Sequence, residues 1–426
     1  MPSSVAKIST LPNAPSRVLL ISTVSFTLLF AVWLMLGMLG IPIRQEFNLG
    51  SHQMEWLLAT ALLSGSLPRL HFGILTDRLG GRLVMTLLLV WASVPCFWLS
   101  KAVHVWEFFA CAFLAGFAGN SFSVGVSWNS AWSPSNRLGT ALGVFGAGNV
   151  GASLTKFLAP VVLAFIPTAG LLGGWIPGSW RLIPLGYAVL CLLMAAWVWF
   201  GSPSPDHCPG KGRTISEMLA PLGKARVWRF GLYYVVVFGA YVALAAWLPS
   251  YYVDQFGLNL STAGVLTAVF IFPASLLRPL GGWLADLFGA RLITYSVFWL
   301  MVAALFLLCL PQTILSLNVA TFTVLILVVG ICMGIGKASV FKYVPVYFPK
   351  DVGAVGGLVG LLGALGGFAL PPLFGWVSRT TGQPQLAFLV LLVLTLVSLG
   401  WLHITVLGIR RQPCPPTLDL APITSS

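Results

Sequence analysis

Long apolar runs alternate with short polar breaks along nearly the whole chain. About 20 apolar residues make a helix that crosses a ~30 Å hydrocarbon core. Runs of that size fall at roughly 18–41, 54–75, 83–101, 106–128, 138–166, 182–201, 228–250, 262–285, 291–311, 318–342, 353–376 and 386–408. The pattern predicts an all-α membrane protein of twelve transmembrane helices. Runs 54–75, 138–166 and 353–376 are interrupted by Gly, Pro or charge, but they keep the spacing of the others. Residues 1–16 are polar and hold prolines, and the first apolar run is long enough to span. The start therefore reads as a short tail rather than a cleavable leader.

The longest polar break is 202–226, SPSPDHCPGKGRTISEMLAPLGKAR, whose Pro, Gly and charge mark a linker. It divides the runs six and six, into a bundle over 1–201 and a second over 227–426 that ends in a short tail. An even count puts both termini on one side. Fourteen Lys and Arg fall on the side of the tails and linker, and four (Arg44, Lys101, Arg181, Arg379) on the other, which predicts cytoplasmic termini. An internal repeat supports the division. Arg69, Asp77, Gly80 and Arg82 recur as Arg278, Asp286, Gly289 and Arg291, each shifted by 209. Pro134, Gly139 and Gly143 are echoed more loosely by Pro349, Gly353 and Gly357. Two six-helix, pseudo-symmetric halves are the architecture of many secondary transporters.

Composition narrows the class. Only 8% of residues are charged and 58% are hydrophobic, against about a quarter charged in soluble proteins. The formal charge of +13 is scattered over short loops, so it reads as a topology signal and not as a nucleic-acid surface. The seven cysteines show no metal or redox spacing and read as small core residues. No nucleophile–base pair, cofactor fingerprint or metal cluster is present, so neither an enzyme nor a cofactor is expected.

Two arginines carry the candidate chemistry. Arg69 and Arg278 each precede a loop aspartate by eight residues, about 12 Å of helix, which places both near the middle of the bilayer. A charge there faces a partner or a water-filled cavity. All ten acidic residues lie in loops, tails or span ends, so a bound anion is the simplest counter-charge. The planar guanidinium grips flat oxyanions with two donors. The alternative is a structural plug bonded to backbone carbonyls. Spans five and eleven are glycine-rich, at Gly143, Gly146, Gly148 and Gly151, and at Gly357, Gly360, Gly363, Gly366 and Gly367. Small residues at helical spacing let helices approach closely and slide. Asn149 is the polar exception and could donate to an oxyanion.

The loop built from Gly73, Asp77, Arg78, Gly80 and Arg82, with its copy at Asp286 and Arg291, resembles the signature of the major facilitator superfamily. There it acts as a conformational latch. More narrowly, GVFGAGNVG and GGLVGLLGALGGF resemble the paired signatures of the nitrate/nitrite porter (NarK-type) family, and the similarity runs over roughly 18–408. The resemblance implies that Arg69 and Arg278 clamp nitrate or nitrite, that Asn149 and Tyr234 contribute, and that Phe122 and Phe341 lie above and below the planar anion. It implies a monomer in a bacterial inner membrane, serving nitrate assimilation, with protons as the coupling ion. Lys337, in Gly-Ile-Gly-Lys, resembles the branch that imports nitrate with protons. Lys342 is a second coupling candidate or a snorkelling interface residue. The chain departs from the family at Pro68 and His71. Pro68 should loosen the helix around residue 64. His71 reads as a solvated cavity residue, a proton carrier or a damaging change. The expected mechanism is nitrate/proton symport by rocking of the two halves. Nitrate/nitrite exchange, another small-anion porter and a non-transporting sensor are the alternatives.

Overall fold

A computed structural model describes residues 13–153, 155, 165, 170, 178–311 and 314–410. Part of the expected run 138–166 and both tails lie outside the described residues. Among the described residues every regular element is helical and there is no strand. In the first half the helices are α1 (Ala14–Leu34), α2 (Leu36–Phe47), α3 (Ser51–Ser64), α4 (Arg69–Leu79), α5 (Gly81–Lys101), α6 (Val105–Gly116), α7 (Ser121–Trp132), α8 (Leu138–Ala147) and α9 (Leu182–Gly201). The linker carries a short α10 (Ile215–Leu219). The second half has α11 (Ala225–Tyr234), α12 (Ala240–Phe256), α13 (Leu260–Leu276), α14 (Arg278–Phe288), α15 (Ala290–Cys309), α16 (Val319–Tyr347), α17 (Val352–Thr381) and α18 (Ala387–Arg410).

Nine helices among the described residues are long and apolar enough to cross a membrane. The bent pair Thr262–Leu276 and Arg278–Phe288, which turns by 41° at Leu277, passes the same test together and makes a tenth candidate. Large apolar side chains such as Phe200, Trp106, Trp299 and Ile404 point outward, as they do where the surrounding solvent is lipid. The expected run 54–75 is two helices, not one. Proline at 68 has no N–H to give to the carbonyl four residues back, and α3 ends at that residue, Ser64. The freed Ser64 carbonyl accepts instead from Asn120 Nδ2 at 3.2 Å.

Two repeat anchors explain the loops that follow the broken helices. Gly80 (φ 90°) and Gly289 (φ 85°) each join a half-helix to the next span, and that backbone conformation favours glycine. Beyond them, α4 packs against α17 and α8 packs against α14. These contacts are backbone on backbone. A Cβ added at Gly73 would fall 2.0 Å from the Gly353 carbonyl oxygen, and one at Gly282 would fall 2.0 Å from that of Gly139. Gly73 and Gly282 are themselves related by the 209-residue shift.

Candidate functional site

Both arginines stand at the first residue of a half-helix, immediately after a break. The positive end of each helix dipole therefore adds to the guanidinium charge. Arg69 is fully buried and Arg278 is 1% exposed. Arg69 gives Nε to the Gly65 carbonyl at 3.2 Å and Nη1 to the Gly360 carbonyl at 2.9 Å. Its Nη2 has no hydrogen-bond partner, and neither do Nε and Nη1 of Arg278. The pair share one ring: Phe122 is 5.6 Å from the Arg69 guanidinium carbon and 5.5 Å from that of Arg278. Arg69 also sits 5.3 Å from the Trp33 ring and 5.9 Å from Phe238.

The glycines make room for these side chains. A Cβ at Gly146 would lie 2.4 Å from the Arg278 guanidinium carbon, and one at Gly143 would lie 2.5 Å from the Arg278 carbonyl oxygen. In the same way Gly357 meets the Arg69 backbone, and Gly360 meets the Arg69 side chain at 3.6 Å. Gly143 and Gly146 map onto Gly357 and Gly360 by a common shift of 214. Each arginine thus rests in a glycine cradle on the opposite half. The remaining glycines serve helix packing. Gly148 and Gly151 abut α1 at Phe26, Thr27 and the α1 backbone. Gly363, Gly366 and Gly367 abut the segment Tyr234–Val242, which holds a π-turn at Val235–Gly239. π-turns concentrate at functional sites.

Tyr234 stacks on Phe238 at 5.0 Å and meets Phe341 edge-on at 4.5 Å. Phe122 and Phe341 meet edge to face, at 5.0 Å and 85°. They do not form two parallel walls. A planar anion between two ring faces needs about 7 Å, from a contact distance of about 3.5 Å on each side. Phe122 is instead near-parallel to Phe238, at 6.5 Å and 4°, and to Tyr234, at 6.2 Å and 13°. Asn149 is buried with both amide atoms unpartnered, three residues beyond Gly146 on the same helical face.

Lys337 belongs to this cluster. It is fully buried, gives Nζ to the Ala274 carbonyl at 2.9 Å, lies 3.1 Å from the Tyr241 ring centre and shares Phe238 with Arg69 at 5.9 Å. Lys342 does not: its Nζ binds the Ala285 carbonyl at 2.7 Å and Asp286 at 2.9 Å. His71 is on the exposed face of α4, away from the buried Arg69. Among the described residues no ion pair joins a carboxylate to Arg69, Arg278 or Lys337.

The loop aspartates act on helix ends. Asp77 accepts from the Gly353 N–H at 2.8 Å, at the start of α17, and from the Ser127 hydroxyl. Asp286 accepts from the N–H groups of Gly139 (2.8 Å) and Thr140 (2.7 Å), at the start of α8. Each carboxylate thus caps a helix of the other half, where the dipole favours negative charge. The expected latch arginines take other places. Arg78 is exposed, the Arg82 guanidinium lies over Trp199 at 4.5 Å, and Arg291 borders a separate cleft with Arg229.

The family model described as Major Facilitator Superfamily matches residues 21–266 and again 232–419. A Thermus thermophilus protein named probable nitrate/nitrite antiporter NarK1 is 56% identical over 410 residues, covering 93% of each chain. The chain is a NarK-type member of the major facilitator superfamily. A Bacillus subtilis protein named nitrite extrusion protein is 33% identical and covers 87% of this chain and 89% of its own. The fold is also that of the E. coli fucose:proton symporter, with a TM-score of 0.70 at 15% identity over 92% of this chain and 99% of that one. This NarK-type protein is accordingly an integral, multi-pass transporter and not an enzyme. Trp33, Gly65 and Phe238 also surround Arg69, although the sequence offers no charge or repeat that singles them out.

Proposed function

We propose that this protein carries nitrate or nitrite across a bacterial inner membrane, clamped between Arg69 and Arg278. One observation carries the reading. Three buried guanidinium donors with no partner belong to two arginines that share the Phe122 ring, in a cluster with no carboxylate among the described residues. Two like charges that share one ring repel each other in a medium of low dielectric, and Lys337 adds a third. A small monovalent anion relieves that repulsion and accepts from the open donors. The aromatic walls suit a weakly hydrated planar ion better than a doubly charged phosphate. The names of the 56% and 33% identical relatives support the same cargo.

The reading takes twelve spans, halves at 1–201 and 227–426 and cytoplasmic termini, with the halves rocking about one central site. For coupling, Lys337 supports nitrate/proton symport, since it is a titratable group packed into the cluster. Nitrate/nitrite exchange is the second reading, favoured by the name of the most similar relative cited above. Uptake of labelled nitrate into proteoliposomes tests both. Stimulation by an inward proton gradient assigns symport, and dependence on nitrite trapped inside assigns exchange. Normal nitrate uptake by Arg278→Ala removes the proposed clamp.

A further inference from the structure

Lys337 holds the place in the second half that Phe122 holds in the first. The two differ by 215, the step that carries Pro134 to Pro349 and Gly119 to Gly334. The packing agrees. A Cβ at Gly119 would fall 2.9 Å from the Gly65 carbonyl oxygen, and one at Gly334 would fall 3.2 Å from the Ala274 Cα. Gly65 and Ala274 are themselves related by the 209-residue shift, and each stands four residues before its arginine. Gly65 closes α3, and Ala274 lies in the last turn of α13. The carbonyl at this point is used differently in the two halves. That of Gly65 accepts from Nε of Arg69 at 3.2 Å. That of Ala274 accepts from Nζ of Lys337 at 2.9 Å, and Nε of Arg278 is left with no hydrogen-bond partner.

We propose that Lys337 is a positioning residue: it occupies the Ala274 carbonyl and so keeps Arg278 from bonding back to its own break, which leaves Nε free for the anion. This rests on the reading of Arg69 and Arg278 as the nitrate or nitrite clamp. A helical side chain leans back toward the residue four earlier, so the Ala274 carbonyl lies where Arg278 would otherwise find a partner, as Arg69 does at Gly65. A cation is the favoured occupant of the last carbonyls of a helix. Lys337 is also fastened there. Its ammonium lies 3.1 Å from the Tyr241 ring centre, and the Tyr241 hydroxyl bonds that of Ser275, the residue after Ala274, at 2.9 Å. The two arginines thereby differ in duty. Arg69 is held by two carbonyls and keeps Nη2 open, whereas Arg278 keeps both Nε and Nη1 open. The role needs a hydrogen-bond donor at 337 and no change of its charge, so it is distinct from proton coupling.

Lys337→Met and Lys337→Arg test the proposal in the full chain. Met has nearly the length of Lys and no donor, and it replaces a buried charge by an apolar group, a change that folds often tolerate. Arg restores the donor. Uptake of labelled nitrate into proteoliposomes, with no pH gradient, is expected to show a KM raised about tenfold in Lys337→Met, the loss of one donor to a charged group, with Vmax little changed. Lys337→Arg should return the KM to within about threefold of wild type. A structure of Lys337→Met without substrate is expected to show Arg278 Nε turned onto the Ala274 carbonyl. An unmoved Arg278 overturns the proposal whatever the cargo. So does an unchanged KM in Lys337→Met, even where the response to a pH gradient is lost, since Lys337 would then serve coupling alone. A wild type that takes up neither nitrate nor nitrite refutes the clamp reading instead, and the structure of Lys337→Met still decides what Lys337 does to Arg278. Gel filtration shows whether Lys337→Met folds, and Lys337→Leu, which also lacks a donor, carries the test if it does not.

Discussion

The two glycine cradles are alike in sequence but not in clearance, and that difference gives a test at the level of single residues. A methyl group at Gly146 falls 2.4 Å from the Arg278 guanidinium carbon, whereas one at Gly360 falls 3.6 Å from Arg69, an ordinary contact. The Arg278 head is the free end of a long side chain, so Gly146→Ala displaces it without unfolding the helix. A lost charge-assisted contact is worth about 1.5–3 kcal/mol. Gly146→Ala is therefore expected to raise the KM for nitrate by about tenfold or more, while Gly360→Ala stays within about threefold. Equal effects in an uptake assay would remove the cradle argument. Lys337→Gln separates charge from coupling. If Lys337 carries the proton, the variant still binds nitrate but its uptake no longer responds to a pH gradient. The arginines were legible in the sequence because a charge in an apolar run stands out, and because the 209-residue shift repeats it. Their surroundings were not. Trp33 and Phe238 look like ordinary core aromatics, and the bond from Arg69 to the Gly360 carbonyl joins residues 291 positions apart. The expected sandwich of Phe122 and Phe341 rested on resemblance alone, and here the two rings touch edge to face.

At the level of elements, the break before Arg69 follows from proline chemistry. Pro68 fixes where α3 stops, and Asn120 takes over the carbonyl that Pro68 leaves free. Asn120→Leu strands that buried carbonyl and is expected to cost about 1–3 kcal/mol of stability. Pro68→Ala restores an N–H that can reach Ser64. The double variant Pro68→Ala/Asn120→Leu should then be more stable than Asn120→Leu alone, a non-additivity expected of groups that share one partner. Thermal unfolding in detergent measures it, and strictly additive losses would show that the two residues act independently. Hydropathy located the nine membrane-length helices and the bent pair found among the described residues, because lipid imposes a length and a composition on each. It could not separate 54–75 into two helices, since Ser64–Pro68 costs little apolar content. Nor could it locate the π-turn at Val235–Gly239, whose residues are as apolar as those of any helical turn.

At the level of the whole molecule, one end is closed by three devices that must all yield if the halves are to rock. The glycine pairs Gly73–Gly353 and Gly139–Gly282 bring backbones into contact. Asp77 and Asp286 cap helices of the opposite half. The linker then straps the closed end. Its Gly210 N–H binds the Asp77 carbonyl at 2.8 Å, Arg213 pairs with Asp351 at 2.6 Å, and Met218 is fully buried against Ile74 of α4 and Ala354 of α17. Met218 therefore fastens one half to the other without belonging to either. Burying such a side chain contributes about 1.5–3 kcal/mol, and the contribution exists only while α4 and α17 stay together. Met218→Ser should lower the closed population by that amount, about tenfold or more in the equilibrium constant, at 1.4 kcal/mol per decade. A cysteine placed at Ala354, in a background without Cys208, reports the change through its rate of modification by a water-soluble thiol reagent. That rate should rise about tenfold in Met218→Ser and fall back when a saturating anion favours closure around Arg69 and Arg278. An unchanged rate would mean that the strap moves with one half and holds nothing shut. The glycines and aspartates would then be the whole of the latch.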